Sequence, residues 1–235
     1  MRNDNIKVSA SILSADFLNL KTDIQAIESA GADSLHLDVM DNHMAPSLSF
    51  GPPIINPISA ITSLPLDAHL MIDAPWLFFN AYINCNVDEI CFHIEAYEKT
   101  VSPHDQILKA SRVATDIDYE KLNHDISFLK EHNVKPGITI NPNTNPNVLL
   151  PILENVDSVL VMSVHPGFSG QTFIESTPDR VRQIRQSFSG DIKVDGGVTN
   201  QVAPQLIDAG ANILISASYL FGSSDYGAAI QSLKH

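Results

Sequence analysis

Cysteine is nearly absent from this 235-residue sequence, and the two that occur, Cys85 and Cys91, sit in apolar surroundings. Their spacing suits neither a disulfide framework nor a common zinc knuckle. That excludes a small cross-linked scaffold and predicts core packing in a reducing compartment. Basic residues are also scarce: 14 Lys and Arg against 27 Asp and Glu leave a formal net charge of −13. Such a chain repels polyanions, so nucleic acid and anionic membranes are poor partners. The charge of a small anionic substrate would have to be met locally. No apolar run approaches membrane-spanning length, and Met1 to Ala10 lacks a basic region followed by an apolar stretch. The sequence reads as a soluble cytoplasmic protein. What it has in quantity is core material, 44% hydrophobic residues, enough to build a large globular domain.

That material is distributed rhythmically. Short β-rich runs fall at residues 6–13, 34–40, 65–71, 89–95, 135–141, 158–164, 192–198 and 212–218. Between most of them lie helical patterns: Phe17 to Ala30, Trp76 to Asn84, Tyr119 to His132, Pro178 to Ser187 and Gln201 to Ala209. Strand then helix, about eight times over, predicts an α/β fold, the (β/α)₈ TIM barrel. No linker divides it, so residues 1–235 are expected to form a single domain. The rhythm breaks once, after the fourth strand, where an enlarged loop is expected at about 97–117.

The chemistry is written at the strand ends. In His36-Leu37-Asp38-Val39-Met40-Asp41, period-two alternation puts His36 and Asp38 on one face of a strand. His69 closes a second apolar run and Asp195 a third. Two histidines and two carboxylates from three strands form a borderline-hard ligand set for one metal ion. Ser11, Glu95, Asn141 and Ser218 also fall late in their runs and should ring the same mouth, where such barrels carry function. Of the other histidines, His43, His93, His104, His124, His132, His165 and His235, most are expected on the surface or in loops, with His93 and His165 near the mouth. Met40, Met71 and Met162 are expected as core gap fillers. Asn42 to Pro53 reads as a long loop over the mouth, able to act as a lid.

Three late loops are rich in glycine or small residues: Gly167-Phe168-Ser169-Gly170, Asp195-Gly196-Gly197 and Ala217-Ser218. None contains Lys or Arg. A phosphate there would be held by backbone N–H groups and a helix amino terminus.

At these residues the chain resembles the ribulose-phosphate 3-epimerase family. The likeness is carried by Ser9 to Phe17, His36 to Asp41, His69-Leu70-Met71, Met162 to Phe168 and Val194 to Val198. The resemblance implies that His36, Asp38, His69 and Asp195 bind one divalent ion (Zn, Fe or Mn), and that Asp38 and Asp195 are the acid–base pair. It implies further that Ser11, His69 and Asp195 touch a small phosphorylated ketose. Gly167, Phe168, Ser169, Gly170, Gly196, Gly197, Ala217 and Ser218 would surround the phosphate. It also implies a homo-oligomer. The chain departs from the family pattern at Asn42, Met44, Ala45 and Ser47 in the lid, at Ser169, and at Ala217 and Tyr219. These changes bear on lid closure, phosphate affinity and the identity of the sugar.

Other readings compete. The same residues would serve a six-carbon ketose such as allulose 6-phosphate. A Schiff-base aldolase would need an inward lysine near a strand end, for which Lys193 is the candidate. A related decarboxylase would carry lysine where this chain has Met40. A non-catalytic sugar-phosphate-binding barrel would have no use for two acid–base carboxylates.

Overall fold

The computed structural model describes residues 6–99 and 113–235. Eight parallel strands close into a barrel in sequence order: β1 (Lys7–Ser11), β2 (Ser34–Met40), β3 (Leu66–Met71), β4 (Glu89–His93), β5 (Lys135–Ile140), β6 (Ser158–Met162), β7 (Asp191–Asp195) and β8 (Ile213–Ser216). Closure is made by β8 pairing with β1, Lys7 opposite Ile213 and Ala10 opposite Ser216. The barrel predicted from the rhythm is the observed fold.

The strands are buried almost throughout, as parallel strands covered on both faces must be. Residues pointing outward, such as Leu35, Leu37, Leu70 and Phe92, pack beneath the surrounding helices in the main apolar core. Those helices are α1 (Leu20–Ser29), α2 (Pro52–Ser59), α3 (Phe79–Ile83), α4 (Tyr119–Glu131), α5 (Thr177–Arg185), α6 (Ala203–Ala209), α7 (Ser218–Phe221) and α8 (Tyr226–Leu233). Local chemistry sets their ends. Asp118 caps α4 by accepting the Lys121 N–H, and Gly210 ends α6 in the left-handed region at φ 109°.

Three expectations need correcting. The helix expected over 76–84 is a 3₁₀ turn, Pro75–Leu77, followed by the single-turn α3. Pro52 and Pro53 do not belong to the loop after β2; they open α2, where proline's missing N–H costs nothing. Ser218 lies beyond β8, as the first residue of α7. His93 is the last residue of β4 and is fully buried. The base of the enlarged loop is a bridge between Glu98 and Ile117, reinforced by the Glu98 carboxylate accepting the Thr115 N–H at 2.6 Å. Residues 100–112 of that loop, with His104, lie outside the described residues. Among the described residues no helix is long and apolar enough to cross a membrane.

Candidate functional site

The register of β2 against β3 places Asp38 beside His69 and His36 beside Asp67. Because alternate residues face the barrel interior, His36, Asp38, His69 and Asp195 converge near the carboxyl ends of β2, β3 and β7. One ligand atom from each of the four lies within 4.8 Å of all the others. Asp38 is the hub: its Oδ1 lies 3.1 Å from His69 Nδ1 and 3.3 Å from His36 Nε2, and its Oδ2 accepts the Ser11 hydroxyl at 2.5 Å.

Both histidines have their outer nitrogens engaged. His36 Nδ1 lies 2.9 Å from Asp67 Oδ2, a carboxylate that only accepts, so this nitrogen carries the proton. His69 Nε2 lies 2.9 Å from His93 Nε2, and His93 Nδ1 is 3.3 Å from Glu95 Oε2. Glu95 Oε1 accepts the Asn141 N–H at 2.9 Å and the Thr144 hydroxyl at 2.5 Å. The proton order along this line therefore runs from His69 through His93 to the Glu95 carboxylate. The inner nitrogens, His36 Nε2 and His69 Nδ1, lie 3.4 Å apart and are turned toward a carboxylate; they would offer lone pairs to a bound ion, which would displace the second proton that His36 otherwise carries. Lone pairs and carboxylates converging in this way repel one another unless a proton or a metal ion lies among them. Two imidazoles and two carboxylates are the donors a divalent ion of the zinc or iron type takes. The residues fit such an ion.

The two aspartates differ in charge state. Burial pushes the Asp195 carboxyl up, and the nearby Asp38 charge adds to this, bringing it to about 7. Asp38 is also buried, but His36 and His69 outweigh that and hold it well below the ordinary carboxylate range. Burial lowers the His69 imidazole to about 4. It also acts to lower His36, which Asp38 and Asp67 nevertheless hold well above its usual value. One carboxyl is thus ionised near neutrality while its neighbour is poised to hold a proton.

Above this cluster lies a cavity of about 420 Å³. Ser11, Asp38 and Asp195 form its floor, Met40, Met71 and Met162 its wall, and the loops 166–171, 195–197 and 217–218 its rim. The methionines fill the core as expected and also face this cavity. Among the described residues no lysine or arginine lines it. Gly196 and Gly197, at φ 110° and 64°, could not be replaced freely: a Cβ at Gly196 would collide with the Val164 side chain, and one at Gly197 would come within 2.9 Å of the Gln171 carbonyl oxygen. The loop after β2 packs down beside the rim. Met44 and Ala45 are buried against Met40 and Met71, and the Asp41 carboxylate accepts the N–H groups of His43, Met44 and Asp73. A Cβ on Gly167 would lie 3.2 Å from Pro46, so this loop meets the one after β6.

Most of the residues read from the sequence are therefore brought together, but Glu95 and Asn141, expected to ring the mouth, are fully buried and do not line the cavity. His69 is fully buried and set back behind Asp38, and it does not line the cavity. The sequence assigns no role to Asp67 and Glu89, and it offers Lys193 only as the candidate lysine of the competing aldolase reading. Lys193 Nζ is ion-paired with Asp67 at 2.7 Å and Glu89 at 2.8 Å. Burial would lower its ammonium, but Asp67, Cys91 and Glu89 hold it well above its ordinary value, so it is no nucleophile. Period two was the missed signal, since Asp67 and Lys193 each stand two residues before a ligand. A wider depression of about 1110 Å³ opens at the other end of the barrel among Lys7, Arg185 and Asp191. Among the described residues it holds no histidine, and Arg185 there donates to the carbonyls of Phe188, Gly190 and Gly210.

Among solved structures, the fold is similar to KGPDC from Streptococcus mutans (TM-score 0.67, 10% identity, 97% of this chain and 95% of that one). It is also similar to thiamine phosphate pyrophosphorylase from Pyrococcus furiosus (TM-score 0.62, 11% identity, 99% and 95%). At these identities the likeness is one of fold. Sequence relatives are closer. The chain is 37% identical over 235 residues to ribulose-phosphate 3-epimerase of Bacillus subtilis (strain 168), covering 97% of this chain and 98% of that protein. It is 36% identical over 235 residues to the chloroplastic ribulose-5-phosphate-3-epimerase of Arabidopsis thaliana, covering 98% and 76%. The profile described as "Ribulose-phosphate 3 epimerase family" matches residues 7–114 and 105–221, and with these relatives it places the chain in the ribulose-phosphate 3-epimerase family.

Proposed function

We propose that the chain is a metal-dependent epimerase that interconverts D-ribulose 5-phosphate and D-xylulose 5-phosphate by moving a proton at C3 from one face of the sugar to the other. The observation that carries this reading is geometric: two carboxyls, Asp38 and Asp195, line one cavity and stand with His36 and His69 in a group whose ligand atoms lie within 4.8 Å of one another. Inversion beside a ketone needs one group to take a proton and another to return one. Asp38, ionised and oriented by the Ser11 hydroxyl, takes the proton from one face; Asp195 gives its proton to the other. The two then stand exchanged, ready for the reverse reaction. His36, Asp38, His69 and Asp195 would hold one divalent ion (Zn, Fe or Mn), which when bound supplies positive charge against the enediolate oxygens.

The remaining residues position the substrate. The backbone amides of Gly167 to Gly170, Gly196 and Gly197, with Ala217 and Ser218, cradle the phosphate without an ion pair. Met40, Met71 and the buried Met44 keep water from the carbanion face. The protein is further read as cytoplasmic, and as a homo-oligomer; the exposure of Leu18, Leu48 and Leu77 on the first three strand-to-helix connections supports the second of these.

The test is turnover of D-ribulose 5-phosphate and of allulose 6-phosphate by protein of measured metal content, with and without a chelator. Chelator-sensitive turnover with the pentose preferred is expected. Metal-loaded protein that turned over only the hexose would overturn the substrate assignment.

A further inference from the structure

Beneath the four converging residues lies a second polar layer that the proposed reaction does not use. Asp67, Glu89 and Cys91 bring two carboxylates and a thiol within 4.8 Å of one another, by donor type alone a site for a metal ion. That position is already filled. Lys193, 2% exposed, reaches across the barrel to lie 2.7 Å from Asp67 Oδ2, 2.8 Å from Glu89 Oε2 and 3.6 Å from Cys91 Sγ. The layer is built closely: the other oxygen of Glu89 accepts the Ser158 hydroxyl, and a Cβ at Gly137 would come within 2.7 Å of Ser158 Oγ and 3.0 Å of Glu89 Oε1.

One atom joins this layer to the layer above. Asp67 Oδ2 accepts from Lys193 and, at 2.9 Å, from His36 Nδ1, while Asp67 Oδ1 has no hydrogen-bond partner among the described residues. A buried carboxylate is costly without a counter-charge. Lys193 provides that charge and draws the carboxylate to one side. Deprived of it, Asp67 would sit beside Glu89 as a second uncompensated carboxylate and would turn, move or change partners. His36 would then lose the acceptor that keeps its proton on Nδ1 and its lone pair inward. Partners of this kind are worth roughly 10- to 100-fold in metal affinity.

We propose that Lys193 is a positioning residue for the metal-ligating face of His36, acting through Asp67 as a fixed internal cation. This rests on the reading of His36, Asp38, His69 and Asp195 as a metal site.

The experiment is titration of the whole chain with Zn²⁺ against a chromophoric chelator, together with the visible spectrum of the Co²⁺-loaded protein. It compares wild type with Lys193→Met, Asp67→Asn, their double variant and Glu89→Gln. Lys193→Met and Asp67→Asn are each expected to weaken Zn²⁺ about tenfold or more and to alter the Co²⁺ spectrum. The double variant should be no worse than the weaker single one, because both act along one path. Glu89→Gln removes a partner of Lys193 that does not touch His36, so affinity should stay within about threefold even if the protein melts earlier. Should Lys193→Met not fold, Asp67→Asn, which keeps shape and loses only charge, carries the test. Asp67→Asn or Lys193→Met binding Zn²⁺ as tightly as wild type, with an unchanged spectrum, would overturn the proposal while leaving the metal site standing. A wild type that binds no divalent ion would overturn both.

Discussion

At the scale of single residues, the proposed function rests on making two chemically identical side chains differ. Asp38 receives the Ser11 hydroxyl and faces two imidazole nitrogens, whereas Asp195 meets burial and the Asp38 charge. Asp38→Asn removes the proposed base and one proposed ligand, so turnover should fall by roughly 10³-fold or more and metal affinity with it; steady-state kinetics and metal analysis check both. Asp195 gives a pH signature in metal-free protein. Its folded carboxyl titrates at about 7 against an ordinary 3.8, so between those values the folded state keeps a proton that the unfolded chain has lost. Its contribution to stability therefore falls as pH rises through that window. In thermal melts of chelated protein, the stabilisation given by Asp195→Asn should grow from pH 4 to about 7 and then level off. A difference independent of pH would mean that Asp195 is not held this way.

The legibility of the site follows the same scale. His36, Asp38, His69 and Asp195 could be read because each interrupts an apolar strand at a position where a polar side chain must face something specific. The layer below was harder to read because its partners are remote. Lys193 and Asp67 stand 126 positions apart, and nothing local to either announces the other. His93 could be placed near the mouth from its position late in a run, but not its partner: its ring stacks on His69, with centroids 5.0 Å apart.

At the scale of elements, strands hold the candidate site residues and loops shape the space above them. Strand positions were legible from the spacing of β-branched and apolar runs, but the carboxyl ends of β1, β4, β6, β7 and β8 fall two or three residues earlier than expected, where loops or 3₁₀ turns begin. Short, proline-marked elements were not legible: Pro75 and Pro146 each begin 3₁₀ segments where helical periodicity is a poor guide. The Gly196–Gly197 turn after β7 gives an element-level prediction. Gly197 sits at φ 64°, with backbone atoms of Gln171 and Phe173 about where a side chain would go. Gly197→Ala should push the loop after β6 outward and raise KM for the sugar phosphate by about tenfold, with kcat less affected. A fall in kcat at unchanged KM would place the turn in the chemistry instead of in phosphate binding.

At the scale of the whole molecule, the closed barrel does what no single βα unit could. It brings His36, Asp38, His69 and Asp195 from β2, β3 and β7 within 4.8 Å, and it buries them under a layer of methionines and above a layer of paired charges. A chain with net charge −13, and with no lysine or arginine among the described residues that line its cavity, would have to bind the proposed anionic sugar by shape and backbone amides. The central claim is that this floor moves a proton at the carbon beside a ketone. The most direct measurement is the ¹H NMR spectrum of D-ribulose 5-phosphate incubated in D₂O with metal-loaded protein. D-Xylulose 5-phosphate carrying deuterium at C3 is predicted to accumulate, to stop on addition of a chelator and to resume when divalent metal is restored. An unchanged substrate spectrum with C3 still protonated, in the presence of protein shown to hold its metal, would contradict the account.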